Sequence, residues 1–325
     1  MKWSITKSKI FSRCQRKWYY SEIMASPRSK DPLRREAYLL KQLQSLQAWR
    51  GSLVDKVIEK FIVPGIRIKR LPSEDQVVDF CTKLMDDQIA FGKARMHQRP
   101  NVTKSNGSNA YCAFYDLEYN GGINEEKLIE AKKEARIALH NLVQSGLLKN
   151  IMENGSYIIA QRPLTFKLDK FTVSCTPDLV VFYDAAPPLI IDWKVHSFGN
   201  ADSWLQLGVY AVALSRIDPH KDFPIGIENR LEDITRMRML EYQLLKNEQR
   251  EHFVSHEDEA DIYDYIFRSC TDIAGIVGGE KYDTLDANQF QTARSPRLCE
   301  RCQFKTLCWK KEPTAQRFLF EEAWS

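Results

Sequence analysis

The sequence predicts an α/β protein in which a mixed central sheet is flanked by helices. Residues 156 to 193 contain five short runs rich in β-branched and aromatic residues, which are YIIA, LTFKL, FTVSC, DLVVFY and LIIDW. The segments before and after these runs repeat apolar residues at the spacing of a helix. At 325 residues the chain can bury a large core, so we expect one domain over residues 1–325.

The part of the chain before the strand runs is predicted to be mainly helical. The predicted helices cover residues 5–23, about 35–63, 74–97 and 124–147. In the second of these, RGSLVDKVIEKFI repeats apolar residues every three or four positions, as one buried helix face does. A polar loop rich in Asn, Ser and Gly separates the last two. We interpret residues 64–150 as a helical insertion.

The strand runs lie in a sheet core that we assign to residues 151–245. Within and after it we expect a helix at about 201–215, further strands between 223 and 244, and a long helix near 246–277. The tail that follows is irregular, and its residues 290–310 carry a cluster of cysteines.

Composition excludes several classes of protein. No apolar run reaches the roughly 18 residues that a membrane-spanning helix needs. The N-terminal MKWSITKSKIFSRC has no continuous apolar stretch, so it is not typical of a secretory signal. We therefore expect a cytoplasmic protein without a membrane partner.

The first 20 residues are strongly basic, although the net charge of the whole chain is only +4. Their cations, with no acidic residue between them, are Lys2, Lys7, Lys9, Arg13, Arg16 and Lys17. Three aromatic residues follow directly, Trp18, Tyr19 and Tyr20. Such a segment either contacts phosphates and stacks on bases, or forms an amphipathic helix with solvated cations and buried rings.

Two adjacent strands carry a set of charged residues suited to metal-dependent hydrolysis. One begins TPDLVVF with Asp178, and the other ends IIDWKV with Asp192 and Lys194. Residues two apart on a strand share a face, and a hairpin would set Asp178 beside Asp192. Carboxylate oxygens suit Mg²⁺ or Mn²⁺, and a lysine can orient water and offset developing charge. The alternative is a hairpin that ends in a surface salt bridge.

The next predicted helix carries a polar pair beside its apolar stripe. In SWLQLGVYAVAL, Gln206 and Tyr210 are four residues apart and share one helix face. They either contact a phosphate backbone or form a helix rim that bonds locally.

The cysteines are unevenly spaced. Four of the eight, Cys81, Cys112, Cys175 and Cys270, stand singly and are expected to be small buried side chains. The others are a tight trio in SPRLCERCQFKTLCW and one distant residue, namely Cys299, Cys302, Cys308 and Cys14. Four thiolates hold an iron–sulfur cluster or a zinc ion, and the alternative is three thiols in a mobile tail.

The segment from TPDLVVF to YAVAL resembles the core of RecB-family PD-(D/E)XK nucleases, with PD, DxK and QxxxY in that order. The resemblance implies a restriction-endonuclease-like core and catalytic roles for Asp178, Asp192, Lys194, Gln206 and Tyr210. It also implies that Asp178, Asp192 and the backbone carbonyl of Trp193 bind Mg²⁺ or Mn²⁺.

An upstream motif departs from the family pattern. The family has Gly, three residues and then His on a helix, whereas RGSLVD offers Gly51 and then Asp55. Aspartate is a good ligand for a hard cation, so Asp55 is expected to join the metal site.

The cysteine pattern resembles that of the iron–sulfur nucleases, namely the CRISPR-associated RecB-like exonucleases and the AddB nuclease domain. The resemblance implies a [4Fe–4S] cluster held by Cys14, Cys299, Cys302 and Cys308, which clamps the two ends of the chain together. Zinc is the alternative cofactor.

These features together predict a metal-dependent deoxyribonuclease. By resemblance we expect an exonuclease on single-stranded DNA or DNA ends, in repair and recombination or in CRISPR and other phage defence. The sequence has no G-x-x-x-x-G-K-[ST] helicase motif, so a helicase or defence protein would supply translocation. The alternatives are a catalytically weak DNA-binding assembly subunit and, less well matched to the PD and DxK motifs, an electron-transfer protein.

Overall fold

The strands of the structure, a computed structural model, divide between two sheets. The structure describes residues 2–195, 202–217, 223, 231, 233–280 and 284–310. Its strands are β1 Lys2–Trp3, β2 Tyr157–Ala160, β3 Leu164–Leu168, β4 Phe171–Cys175, β5 Leu179–Phe182, β6 Leu189–Lys194, β7 Arg238–Gln243 and β8 Glu248–His252. One sheet has the order β2-β5-β6-β7-β8 and the other β1-β4-β3.

Both sheets are mixed. In the five-stranded sheet β6 and β7 are parallel, whereas the pairs β2–β5, β5–β6 and β7–β8 are antiparallel. In the smaller sheet β1 lies parallel to β4, and β3 and β4 form an antiparallel hairpin. The predicted mixed α/β architecture is therefore confirmed, but its strands divide because the β3–β4 hairpin pairs with the N-terminus and not with β5.

Helices surround these sheets. They are α1 Ile5–Arg13, α2 Gln15–Tyr19, α3 Pro32–Lys41, α4 Leu46–Val57, α5 Val63–Arg67, α6 Glu74–Lys93, α7 Tyr115–Tyr119, α8 Glu125–Gln144, α9 Leu147–Asn154, α10 Asp202–Arg216, α11 His256–Val277, α12 Pro296–Glu300 and α13 Lys305–Lys310. Single π-helical turns follow α2 and α4 at Tyr20–Met24 and Ile58–Ile62. Short 3₁₀ turns lie at Met96–Gln98, Ile234–Arg236 and Ala287–Gln289.

Serine caps account for several helix starts. The Ser45 side chain accepts from the Ala48 backbone N–H, so α4 begins there and the predicted helix at 35–63 is divided after α3. Ser255 forms a capping box with Asp258 at the start of α11.

The prediction of a helix from residue 246 was wrong in its first part. Residues 248–252 form β8, which pairs with β7 through Glu241 and Arg250 among others. The EQREH sequence of this strand is charged, as edge strands commonly are, and tertiary pairing outweighs its weak strand propensity. Part of the predicted strand region at 223–244 lies outside the described residues.

The two faces of the five-stranded sheet pack against different helices. Val180 and Ile190 join the core that contains α10 and α11, whereas Val181 and Ile191 join the core that contains α4, α6 and α8. The helices within residues 64–150 thus form a layer on the sheet, and Leu142 of α8 is fully buried in it. Burying such a leucine stabilises the fold by roughly 1.5–3 kcal/mol.

The aromatic residues of the basic N-terminal segment are core residues. Trp18, Tyr19 and Tyr20 are 3%, 4% and 2% exposed, so the interpretation that these rings stack on bases is wrong. The four single cysteines are buried as predicted. Within the described residues, no helix has the length and apolar character needed to cross a membrane.

Candidate active site

The hairpin of β5 and β6 sets Asp178 beside the end of β6. The antiparallel register pairs Leu179 with Ile191, so Asp178 is level with Asp192. The backbone N–H of Trp193 donates to Asp178 Oδ2 at 2.9 Å. The Trp193 side chain is buried beside Tyr242 in the core that contains α4 and α8, so its main chain is the part that adjoins the site.

A continuous polar network links β6 to α10. Lys194 Nζ lies 2.5 Å from Asp192 Oδ2 and donates to Gln206 Oε1 at 3.2 Å. The Gln206 amide Nε2 donates to Asp192 Oδ1 at 2.9 Å and to the Tyr210 hydroxyl at 2.6 Å. The sequence motifs DxK and QxxxY are therefore one hydrogen-bonded unit, in which Asp192 is only 1% exposed.

Asp55 of α4 adjoins this unit from the other side. Burial raises the pKa of Asp55 to about 7, and repulsion from Asp192 adds to the effect. Burial also raises the pKa of Asp178, with repulsion from Asp192 and then Asp55. The pKa of Asp192 is raised by burial, although the Lys194 ammonium opposes the shift. Three carboxylates thus share a poorly solvated region.

The oxygen donors of this region suit a hard divalent cation. Asp192 Oδ2 has no hydrogen bond of good geometry although the Lys194 ammonium is close. A cation beside the carboxylates would offset their repulsion. In the described part of the chain, no three His, Cys, Asp or Glu side chains lie close enough together to form a group that could hold a metal ion. The chemistry of the donors fits a cation, and their metal-binding roles stay predictions.

Two residues at the site carry no signal that sequence reasoning could find. Gln161, directly after β2, donates from Nε2 to Asp178 Oδ1 at 2.9 Å. Arg50 of α4 donates to the Val195 carbonyl, just beyond Lys194. Neither belongs to a recognisable motif, because each acts through a contact that only the folded chain brings about.

The neighbouring strand adds a further buried carboxylate. Glu241 of β7 pairs directly with Asp192 and is 1% exposed. Its carboxylate accepts from the Gln243 amide and lies 3.0 Å from His252 Nε2. A signal existed here, since Glu241 and Gln243 are alternate polar residues in an apolar strand, as Asp192 and Lys194 are.

The four cysteines predicted to bind a cluster line one cavity of about 310 Å³. Cys14 is the N-cap of α2, where its Sγ accepts from the Lys17 backbone N–H at 3.3 Å. Arg16 donates to Cys308 Sγ at 3.9 Å. Burial raises the pKa of Cys302, and Cys14 lies near enough to contribute. The cavity is also lined by Gln206, so it borders the polar network of β6 and α10.

The cysteine segment is held by a helix from the predicted insertion. Tyr115 and Tyr119 of α7 donate from their hydroxyl groups to the carbonyls of Glu300 and Gln303, at 2.7 and 2.6 Å. The Lys305 ammonium lies 4.4 Å from the centre of the Tyr119 ring. These contacts tie the backbone between Cys299 and Cys308 to α7.

Comparison with known proteins identifies the family of the chain. The family model of the PD-(D/E)XK nuclease superfamily matches residues 2–309. No curated protein matches the sequence. Among solved structures, the chain is similar to one titled "Crystal structure of SSO0001", at 12% identity over 61% of this chain and 80% of that chain. The TM-score of that pair is 0.30, which is too low to support an argument.

The family match includes the N-terminal helices, the hairpin with Asp178 and Asp192, α10 with Gln206, and the cysteine segment. Members of this superfamily are hydrolytic nucleases and typically use divalent metals such as Mg²⁺. The chain therefore belongs to the PD-(D/E)XK nuclease superfamily.

Proposed function

We propose that the protein is a metal-dependent deoxyribonuclease that hydrolyses phosphodiester bonds at the β5–β6 hairpin. The observation that carries the proposal is the bonded unit of Asp192, Lys194, Gln206 and Tyr210, with Asp178 beside it. If Asp192 and Lys194 formed only a structural ion pair, that pair would not need the polar side chains of α10 to hold it.

Each side chain has a distinct task in this proposal. Asp178, Asp192, Asp55 and the Trp193 carbonyl would hold Mg²⁺ or Mn²⁺. When bound, such an ion supplies positive charge to the phosphate and eases deprotonation of water. Lys194, 16% exposed, orients the attacking water and offsets the charge that develops on the phosphate. Gln206 and Tyr210 orient Lys194 and Asp192 and seat the strand.

We propose single-stranded DNA or DNA ends as the substrate, and exonuclease action on them. Support comes from the resemblance to RecB-like nucleases and from the cations around the site. Lys9 acts electrostatically on Asp192, and Arg13, Lys17 and Lys305 line the cavity that Gln206 borders. Cations beside a hydrolytic centre attract the phosphate backbone.

A [4Fe–4S] cluster held by Cys14, Cys299, Cys302 and Cys308 is the cofactor that we propose for the cysteine cavity, with zinc as the alternative. The support is that thiols from both chain ends line one cavity, where backbone and guanidinium N–H groups point at sulfur. Iron and sulfide analysis of anaerobically purified protein, with its visible spectrum, distinguishes the two.

The proposal for the pathway is supported by the resemblance alone. We propose DNA repair and recombination or CRISPR and other phage defence, with a helicase or defence protein as partner. Reduced thiols persist in the cytoplasm, which is where we expect the protein to act.

The test compares Lys194→Ala with Lys133→Ala, a control on the exposed face of α8. Labelled single- and double-stranded DNA is incubated with Mn²⁺ or with EDTA. We expect metal-dependent cleavage by the wild type and the control and none by Lys194→Ala. Cleavage by Lys194→Ala at the wild-type rate would overturn the assignment. Metal-independent DNA binding without cleavage by the wild type would favour an assembly subunit.

A further inference from the structure

We propose that Gln161 is a positioning residue that fixes the Asp178 carboxylate for the cation; the inference rests on the proposed function. Gln161 Nε2 donates to Asp178 Oδ1 at 2.9 Å, and the Gln161 backbone N–H donates to the Asp178 carbonyl at 3.1 Å. Gln161 therefore contacts both the side chain and the main chain of one residue, across the β2–β5 pair.

The two oxygens of Asp178 are held by different donors. Oδ1 accepts from the Gln161 amide, and Oδ2 accepts from the Trp193 backbone N–H. Two bonds on opposite oxygens prevent the carboxylate from rotating. Because each carboxylate oxygen has two lone pairs, each keeps one for a further ligand.

The neutrality of both donors matters for the chemistry. An N–H donor favours the ionised carboxylate without bringing a positive charge, so it does not repel a divalent cation. Asp192 has the opposite arrangement, since the Lys194 ammonium lies 2.5 Å from it. Asp178 is thus the carboxylate that is oriented by amides alone, as supporting hydrogen bonds orient metal ligands in many proteins.

The backbone of Gln161 supplies an independent observation. Its φ is 50°, in the left-handed region that glycine and asparagine favour. A glutamine held there is strained, and such outliers concentrate at functional sites. The side chain is aimed at a carboxylate of the candidate site, so the strain coincides with a contact that glycine could not make.

Two substitutions separate positioning from stability. Gln161→Gly removes the amide and relieves the backbone strain, whereas Gln161→Met keeps the size and the strain but removes the donor. If Gln161 has only a structural role, any loss of Mn²⁺ binding follows the loss of stability, and Gln161→Gly binds Mn²⁺ better than Gln161→Met. If Gln161 positions Asp178, both variants lose the same amount of Mn²⁺ affinity. Asp169→Gly, at φ 51° in the exposed β3–β4 turn, is the control for strain relief.

The measurement is Mn²⁺ binding to the full chain without DNA, by electron paramagnetic resonance, together with the Mn²⁺ dependence of cleavage. We expect both Gln161 variants to need roughly 10–100-fold more Mn²⁺ for half-saturation, with unchanged KM for DNA. Removing a residue that orients a metal ligand commonly weakens metal binding by this factor. Asp169→Gly should match the wild type.

The outcomes separate the two proposals. Wild-type Mn²⁺ binding in both Gln161 variants would overturn the positioning role and leave the nuclease proposal standing. Weaker binding by both variants, in a protein that never cuts DNA, would support positioning and overturn the nuclease proposal. A wild type that binds no Mn²⁺ would overturn both.

Discussion

At the scale of single residues, the candidate site is electrostatically unfavourable to the fold. Asp55, Asp178 and Asp192 are brought together where solvation is poor, and each has a raised pKa. Lys194 is the ammonium in direct contact with one of them. Such an arrangement is expected where function and not stability has selected the residues.

The raised pKa of Asp55 predicts how stability changes with pH in metal-free protein. Asp55 titrates near its ordinary value of 3.8 when unfolded and at about 7 when folded. Between these values the folded state holds a proton that the unfolded chain has released. Asp55 therefore contributes a downward slope to the free energy of unfolding as pH rises from about 4 to 7, and its contribution then levels.

Replacing Asp55 with Asn should make this slope shallower. We expect Asp55→Asn to be more stable than the wild type at pH 8 in EDTA and similar to it near pH 4, by urea denaturation. Asp87→Asn, on the exposed face of α6, is the control. Parallel pH profiles for Asp55→Asn and the wild type would contradict the pKa shift.

The residues that could be predicted from sequence are those whose spacing carries the signal. Asp192 and Lys194 alternate on one strand, and Gln206 and Tyr210 are one helical turn apart, so local geometry alone aligns each pair. Gln161 and Arg50 could not be found in this way. Their partners, Asp178 and Val195, are brought to them by strand pairing and helix packing.

At the scale of elements, α4 is tied to the end of β6. Arg50 is 7% exposed, donates to the Val195 carbonyl and pairs with Glu134 of α8. The same helix carries Asp55, five residues further on. Arg50 therefore sets the distance between the helix that carries Asp55 and the strand that carries Lys194.

Arg50→Met should destabilise the protein by about 2–3 kcal/mol, since a buried carbonyl loses a charged donor. Glu134 is 30% exposed, so we expect Glu134→Gln to cost less, about 1 kcal/mol or below. Urea denaturation of both variants measures the difference. Equal losses of stability in the two variants would mean that the ion pair with Glu134, and not the hydrogen bond to Val195, accounts for the effect.

The boundaries of elements were less predictable than their existence. The helix pattern before residue 64 did not reveal the interruption between α3 and α4, which the Ser45 cap creates. β8 could not be predicted from the sequence, because its pairing with β7, and not its charged sequence, makes it a strand. Long apolar repeats such as α8 were predictable because their buried face is continuous.

The short helix α7 should control the mobility of the cysteine segment. The double variant Tyr115→Phe, Tyr119→Phe keeps both rings, and with them the contact to Lys305, but loses the bonds to Glu300 and Gln303. Hydrogen exchange at residues 299–308 should become faster, by a local loss of about 1–3 kcal/mol. Unchanged protection would show that the cysteine segment is held by other contacts.

At the scale of the whole molecule, the N-terminal helices pack directly against the segment that carries the last three cysteines. The Tyr19 and Phe290 rings lie 4.7 Å apart, and Tyr20 stacks on Phe304 at 5.7 Å. The Arg16 backbone N–H donates to the Gln291 carbonyl at 3.0 Å. The fold around the cysteine cavity thus has its own hydrophobic support.

We therefore expect packing to contribute more than a cluster to global stability. Phe290→Ala should cost about 3–5 kcal/mol because this ring is fully buried. Cys14→Ser should abolish the visible absorption of a cluster yet lower stability less, since serine can still cap α2. Denaturation of both variants under anaerobic conditions is the measurement. A larger loss for Cys14→Ser would reverse this ranking.

The contacts of the first residues with elements far along the chain have a consequence for the timing of synthesis. The Trp3 indole donates to Ser269, 266 residues further along the chain, and β1 needs β4 as its partner. At about 5–20 residues per second, Trp3 waits on the order of 13–53 s before Ser269 exists. During that interval α1, with Lys9 and Arg13, has no α11 to pack on and no cysteine segment to face. On the ribosome, the nascent chain therefore holds the carboxylates of the β5–β6 hairpin before α1, with Lys9 and Arg13, has packed in place. Nuclease activity should appear only after synthesis has passed the cysteine segment.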